Sequence, residues 1–219
     1  MVSRSGDLRD TGFAIGKEST CATCGAVVRV SLEAANPAYE LMLFDAHDLF
    51  NEKRYMMAVA ATAQAYEMFF GLAVQVMIVF HAANFSHATD TEIGDLDNRL
   101  YRATESYAFD KMRALFTNLA MQHRPASAQE AQTIVTKVAI LAKTPSDVVI
   151  KKSCSLELAE LLLTLKQVDV AQLRNRVIHK HAYRPTPEEV ERGLAPARAL
   201  LGKLWVALDL SMSLRGAGA

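Results

Sequence analysis

Apolar residues recur at helical spacing through almost all of the sequence after Pro37, and this pattern constrains the fold more than any other feature. The segments that carry it most clearly are 38–85, 96–122, 156–168, 170–181 and 187–214. Asn51 and the charges after it predict a break in the first segment, and the polar stretch 87–95 is expected to be a loop. Because 51% of the residues are hydrophobic, such helices can bury a common core. The sequence therefore predicts an all-α fold, an antiparallel helical bundle spanning 37–219.

Capping residues predict where the last two helices begin. Thr186 followed by Glu189 forms a capping box, and the proline between them suits the first helical position. The helix that this box opens is expected to run to about Leu214. Asp169 is expected to cap the preceding helix, which should extend over about 170–181.

The first 36 residues differ in composition from the rest and are expected to form a separate N-terminal segment, 1–36, ahead of the helical domain. They are rich in Gly, Ser and Thr, and the β-branched stretch AVVRVSL predicts a short strand. Cys21 and Cys24 form a CxxC knuckle, which is half of a zinc ribbon. Since structural zinc needs four ligands, Cys154, His47 or a partner chain would have to complete the site. Structural zinc, a thioredoxin-like thiol pair and a knuckle without metal all remain open.

Charge and cysteine content indicate the location and the kind of partner. Lys+Arg and Asp+Glu are both 24, so no global positive field attracts nucleic acid. Three cysteines and no apolar leader favour a reducing, cytoplasmic location. The most apolar run, Met68–Phe80, has thirteen residues and is shorter than the roughly 18 needed to span a bilayer. We expect it to be a buried or interface helix, and no membrane association.

Cations, an amide and imidazoles are concentrated in RNRVIHKHAYRPTPEE, residues 174–189, with no acid among the basic residues. Asn175 and His179 are four residues apart and share one face of a helix. Arg174 and His179 lie roughly 140° apart around a straight helix. They could therefore meet at one phosphate only if the helix loosens or a second copy of the chain supplies one of them. A guanidinium can clamp a phosphate, and an imidazole with a pKa of about 6.5 can move protons at neutral pH.

This region resembles the signature of HEPN domains (higher eukaryotes and prokaryotes nucleotide-binding). Their motif is Arg, then four to six residues, then His, often with a polar residue directly after the Arg, and Asn175 fills that place. The segment FNEKRYMMAVAATAQAYEMFF is similar to the family's first core helix, in which Glu67 is the residue that can face the motif. The resemblance covers residues 40–215.

The resemblance implies a metal-independent endoribonuclease without a cofactor, acting on RNA as a homodimer, in the setting of a toxin or defence component with an antitoxin protein as a partner. The implied roles are catalysis by Arg174, Asn175 and His179, RNA contacts by Arg176, Lys180, His181 and Arg184, and support from Glu67 and Tyr183. One position departs from the family pattern. HEPN toxins paired with nucleotidyltransferase antitoxins usually carry Tyr two residues after the motif His, where this chain has His181 and the nearest tyrosine is Tyr183.

Two alternatives stand beside the enzyme. The motif could be a solvated helix end whose cations complement the helix dipole. The fold could also be a non-catalytic helical module that binds RNA, nucleotide or a partner protein without cutting.

Overall fold

The structure, a computed structural model, describes residues 17–20, 27–30, 37–82, 89–180 and 183–210. Strands β1 (Lys17–Thr20) and β2 (Val27–Val30) pair antiparallel, with Lys17 opposite Val30 and Thr20 opposite Val27. β2 confirms the predicted strand. Cys21 and Cys24 belong to the connection between the strands and lie outside the described residues.

Every described element after Pro37 is helical, which confirms the predicted all-α helical fold. In chain order the helices are α1 (Ala38–Asn51), α2 (Tyr55–Gln75), α3 (Asp90–Thr104), α4 (Phe109–Ala120), α5 (Ala128–Thr136), α6 (Val138–Leu141), α7 (Asp147–Ser153), α8 (Leu156–Lys166), α9 (Val170–His179), α10 (Pro187–Leu194) and α11 (Ala197–Ala207). α2 continues directly into a π-helical turn, Val76–Phe80. The predicted break after Asn51 is confirmed, and there Lys53 adopts a left-handed conformation with φ 62°.

α2 is the central helix of the bundle. Its buried aromatic rings meet those of α4, with Phe69 and Phe70 each 5.5 Å from Phe116 and Phe70 5.5 Å from Phe109, measured between ring centroids. By length and composition alone, the helix from Tyr55 to Phe80 could cross a membrane, but its most apolar window is 61% buried inside the bundle. It therefore packs as a core helix of the bundle, which agrees with the predicted buried helix.

The predicted loop at 87–95 is wrong, because α3 begins inside it. Thr89 caps α3 by accepting from the backbone N–H of Glu92, whose carboxylate in turn accepts from the Thr89 backbone. This reciprocal box satisfies backbone donors that a loop would leave to water. The stretch is polar because the first turns of α3 are largely exposed.

Two predicted long helices are each divided. The helix expected over 96–122 is interrupted after Thr104, whose hydroxyl donates to the carbonyl of Leu100, and the turn that follows brings Phe109 into the core. The helix expected over 187–214 is interrupted at Pro196, since proline has no backbone N–H to continue the ladder. Residues beyond 210 lie outside the described part of the chain.

α9 is positioned by a second, smaller apolar cluster. Leu173 and Val177 of α9 pack with Ala58 and Val59 near the start of α2 and with Val190 of α10. The ring of Tyr183, in the connection between α9 and α10, packs against the same cluster. The end of α9 is therefore held between the central helix and the helix that follows it.

Candidate functional site

α9 has one buried and one exposed face, and this division decides which motif residues are available. Its buried residues are Val170, Ala171, Leu173 and Val177. On the opposite side Asn175, Ile178 and His179 are exposed. Ile178 is 52% exposed, although it is a large apolar side chain. The motif residues Asn175 and His179 thus share a free surface, as their spacing predicted.

Arg174 is half-buried on the side of α9 that faces α2, where it is paired with Glu67 of α2. Its Nη1 donates to Glu67 Oε1 at 3.4 Å, and the two side chains are 33% and 23% exposed. The structure therefore brings Glu67, singled out through the family resemblance, to the motif arginine. A guanidinium has five N–H donors, so this contact orients Arg174 and leaves donors for a further acceptor. Arg174 and His179 make no hydrogen bond with each other within the described residues.

Arg176 is engaged by a different carboxylate. Its Nη1 donates to Glu189 Oε1 at 3.4 Å, and its guanidinium lies 5.0 Å from the centre of the Tyr183 ring. The Tyr183 hydroxyl donates to the same Glu189 oxygen at 2.6 Å. Arg176 was predicted to contact RNA. Here one guanidinium nitrogen pairs with Glu189 and the group lies over the Tyr183 ring, so Arg176 is engaged within the chain on two sides.

Glu189 also completes the predicted capping box at the start of α10. Its Oε2 accepts from the backbone N–H of Thr186 at 3.0 Å, and its own N–H donates to the Thr186 hydroxyl at 3.3 Å. Two hydrogen bonds hold the pKa of Glu189 below the ordinary glutamate value. The one from the Tyr183 hydroxyl has the larger effect, and the one from the Thr186 backbone N–H follows. The same hydrogen bond raises the pKa of Tyr183, because the neighbouring carboxylate favours the protonated phenol. At neutral pH this pair is a carboxylate and a phenol.

The remaining predicted RNA contacts lie beyond the helix. Lys180 ends α9 in extended backbone and is exposed. Arg184 is exposed and donates to the Tyr183 carbonyl at 3.1 Å. His181 lies outside the described residues. Asp169 stands at the predicted N-cap of α9 but makes no capping hydrogen bond with its side chain.

The electrostatics of the site differ from those of the sequence segment. The motif cations have no acid among them in the sequence, yet Glu67 and Glu189 reach Arg174 and Arg176 from other helices. Both carboxylates hold an arginine in one orientation. Lys180 and Arg184 are left as the cations without a carboxylate partner among the described residues, and they flank the exposed end of α9.

Metal ligands are not gathered in the described part of the chain, which contains no group of three or more His, Cys, Asp or Glu side chains placed to hold an ion. Cys154 is half-buried, its thiol contacts the Ile150 carbonyl at 3.2 Å, and burial raises the pKa of that thiol. The predicted zinc alternatives depend on Cys21 and Cys24, which the structure does not describe.

Comparisons of the chain with protein-family models, with curated proteins and with solved structures found no match. The resemblance to HEPN domains therefore stays a prediction, based on residues 174–189 and on Glu67. A function can also be inferred from the positions of these residues in the bundle.

Proposed function

We propose that this protein is a metal-independent endoribonuclease of HEPN type that cleaves RNA at the exposed end of α9. One observation carries the proposal. Asn175 and His179 stand together on a solvent-facing surface, and Glu67 fixes the half-buried Arg174 of the same helix. These polar groups do not build the core, which leaves them available to a ligand. A phosphodiester is the ligand that an imidazole, an amide and a guanidinium together suit best.

The reaction proposed is attack by the RNA's own 2′-oxygen. The 2′-oxygen forms a bond to phosphorus while the bond from phosphorus to the 5′-oxygen breaks. A base takes the 2′ proton, and an acid returns a proton to the leaving 5′-oxygen. His179 supplies one of these two groups, and positioned acid–base help is worth roughly 10²–10⁴-fold. Arg174 neutralises charge that develops on the phosphoryl oxygens, and Asn175 orients the imidazole or a phosphoryl oxygen.

A second copy of the chain completes the cleft in this proposal. Arg174 and His179 are five positions apart in the sequence, which places them about 140° apart around α9 and about 7.5 Å along it. The same surface exposes Ile178, an apolar side chain that a second copy would cover. A twofold axis beside α9 would place the Arg174 of one copy near the His179 of the other.

Ile178→Asp should then yield a monomer with little activity, and Val206→Asp, at a 77% exposed apolar position on α11, should leave the dimer intact. Sedimentation velocity measures the oligomeric state of each variant. A wild type that is active as a monomer would contradict the twofold cleft.

The experiment that tests the function is cleavage of end-labelled RNA in EDTA. The expected products end in a 2′,3′-cyclic phosphate and begin with a 5′-hydroxyl. Strict dependence on magnesium, or products with a 5′-phosphate, would contradict the mechanism and indicate metal-assisted hydrolysis. Binding of RNA without any cleavage would favour the non-catalytic module instead.

Variants assign the reaction to His179. His179→Ala should lower the cleavage rate roughly 10²-fold or more and leave RNA affinity nearly unchanged, because acid–base help acts in the transition state. His123→Ala is the matched control, since His123 is also exposed but follows α4. Both variants should keep the wild-type circular dichroism spectrum. Wild-type cleavage by His179→Ala would remove His179 from the reaction.

The toxin or defence setting belongs to the same proposal. Expression of the wild-type chain in bacterial cells should arrest growth, whereas expression of His179→Ala at the same level should not. Equal growth of cells that express the wild type and cells that express His179→Ala would contradict the toxin setting. The cleavage assay would then still test whether the protein is a ribonuclease. An antitoxin partner would then be expected to cover the exposed end of α9.

A further inference from the structure

The chain around His179 is closed into a ring by four contacts. The Lys180 N–H donates to the Arg176 carbonyl at 3.0 Å, and the Tyr183 N–H donates to the Lys180 carbonyl at 2.8 Å. The Tyr183 hydroxyl then reaches Glu189 at 2.6 Å, and Glu189 accepts from Arg176 at 3.4 Å, which returns to the start. His179 lies in the chain between Arg176 and Lys180, the two residues joined by the first of these contacts.

Glu189 is the one member of this ring that comes from another helix. Its position is set by the capping box at the start of α10, and α10 in turn packs onto the α2–α9 cluster through Val190. The ring is therefore anchored to the bundle through Glu189. Without that anchor, the backbone after His179 would depend on the last hydrogen bonds of α9, which fray readily.

The geometry requires a carboxylate at this position. Oε1 accepts from Tyr183 and Arg176, while Oε2 accepts from the Thr186 backbone. A glutamine has the same shape but only one acceptor oxygen, and its NH₂ group would face a donor on one side. A glutamine suffices for a capping box alone, so the extra demand comes from Tyr183 and Arg176.

We propose that Glu189 is a positioning residue for His179, which holds the backbone on the C-terminal side of the imidazole through Tyr183 and Arg176. This inference rests on the proposed function for its catalytic consequence. Arg176 and Tyr183 then serve the site by holding its geometry, and contact with RNA falls to Lys180 and Arg184. The effect is expected on turnover rather than on RNA affinity.

Glu189→Gln tests the inference, with Glu191→Gln as the matched control. Both changes remove one negative charge from α10, but Glu191 is exposed and makes no hydrogen bond with its side chain among the described residues. Two readouts are needed: kcat and KM for RNA cleavage in EDTA, and hydrogen exchange of the Lys180 and Tyr183 backbone amides. Glu189→Gln should lower kcat about tenfold with KM changed less than about twofold, and should speed exchange at Tyr183 about tenfold. Glu191→Gln should match the wild type in both.

A second variant separates positioning from helix capping. Thr186→Ala removes the hydroxyl that accepts from the Glu189 N–H, but it keeps the Thr186 backbone N–H that donates to Glu189 Oε2. The Glu189 side chain therefore stays placed to contact Tyr183 and Arg176. It should keep kcat close to that of the wild type. If it lowers kcat as much as Glu189→Gln does, the effect belongs to the start of α10 and the inference is overturned.

The outcomes distinguish this inference from the proposed function. If wild type cleaves RNA and Glu189→Gln cleaves equally well, the inference is overturned and the enzyme stands. If wild type does not cleave, the enzyme fails and hydrogen exchange decides alone. Equal exchange at Tyr183 in the Glu189→Gln and Glu191→Gln variants would then overturn the positioning role.

Discussion

The aromatic core around α2 and the free end of α9 use tyrosine in opposite ways. Tyr66 is fully buried, its ring lies 5.9 Å from that of Phe109, and its hydroxyl has no hydrogen-bond partner among the described residues. Tyr183 is half-buried, and its hydroxyl makes a 2.6 Å hydrogen bond to Glu189. The core is thus held by ring packing and leaves the Tyr66 hydroxyl unpaired within the described part of the chain, whereas at the end of α9 polar contacts add to the apolar packing of Leu173 and Val177. Stability and function should therefore respond to different substitutions.

The largest expected effect is on stability and comes from the core. Phe69 is fully buried and packs its ring against Tyr39 and Phe116 at 5.1 and 5.5 Å. Phe69→Ala should lower the free energy of unfolding by about 3–5 kcal/mol, because it removes transfer energy and leaves a cavity. Urea unfolding measures this, with the exposed Val206→Ala as control, expected within about 0.5 kcal/mol of wild type. A loss at Phe69 below about 1 kcal/mol would show that the rings are not the core.

The next effect is on RNA and should leave stability nearly unchanged. If Arg174 contacts a phosphate as proposed, Arg174→Ala removes a charge-assisted hydrogen bond worth about 1.5–3 kcal/mol, and both RNA affinity and kcat/KM should fall roughly 10- to 150-fold. Arg99→Ala, at an exposed position on α3, controls for the lost charge and should have little effect. Filter binding and cleavage rates give the comparison. If Arg174→Ala binds RNA normally, its ion pair with Glu67 is structural and the phosphate role is wrong.

A smaller effect separates the two tyrosines directly. Tyr66→Phe removes a buried hydroxyl that has no partner among the described residues, so it should be neutral or slightly stabilising. Tyr183→Phe removes a hydrogen bond to a carboxylate and should lower the melting temperature. Parallel thermal melts of the two variants test the sign of each change. Equal destabilisation by both would mean that the Tyr66 hydroxyl is satisfied in solution.

The smallest effect is a pH dependence that Glu189 contributes. Because its folded pKa lies below the ordinary value, its contribution to stability is fully present above an unfolded pKa of about 4.3 and is lost as pH falls through the lower folded pKa. Wild type should therefore be more stable than Glu189→Gln near neutral pH, and the difference should shrink below about pH 4. Urea unfolding at several pH values measures it. A difference that does not change with pH would show that the carboxylate charge is not involved.

The local parts of this structure could be predicted from sequence, and the tertiary contacts could not. The capping box at Thr186 and the buried faces of α2 and α11 follow from nearest neighbours and helical period. The capping box at Thr89 is equally local, but the polar residues around this Thr-x-x-Glu signal are typical of a loop and predicted one. The breaks after Thr104 and at Pro196 depend on how the following helix packs into the core. The break at Pro196 could also have been predicted from the proline alone.

The candidate site shows the same division. The shared face of Asn175 and His179 followed from their spacing. The carboxylate partners of Arg174 and Arg176 did not, because each depends on which helices pack together. The sequence predicted Glu189 only as a capping residue. Glu189 follows Arg176 by 13 residues, across a turn that contains a tyrosine. This spacing was the sequence signal that Glu189 could also contact Arg176.

The pair of Arg174 and Glu67 also has a kinetic meaning, since 107 residues separate its members along the chain. Contacts between residues so far apart are formed late, after the loop between them has been closed by packing of the intervening helices. During synthesis, Glu67 is made well before Arg174, and the arginine stays unpaired until α9 has docked onto α2. Assembly of the site is thereby coupled to completion of the fold, and a partly made chain would not contain the arrangement proposed to cut RNA.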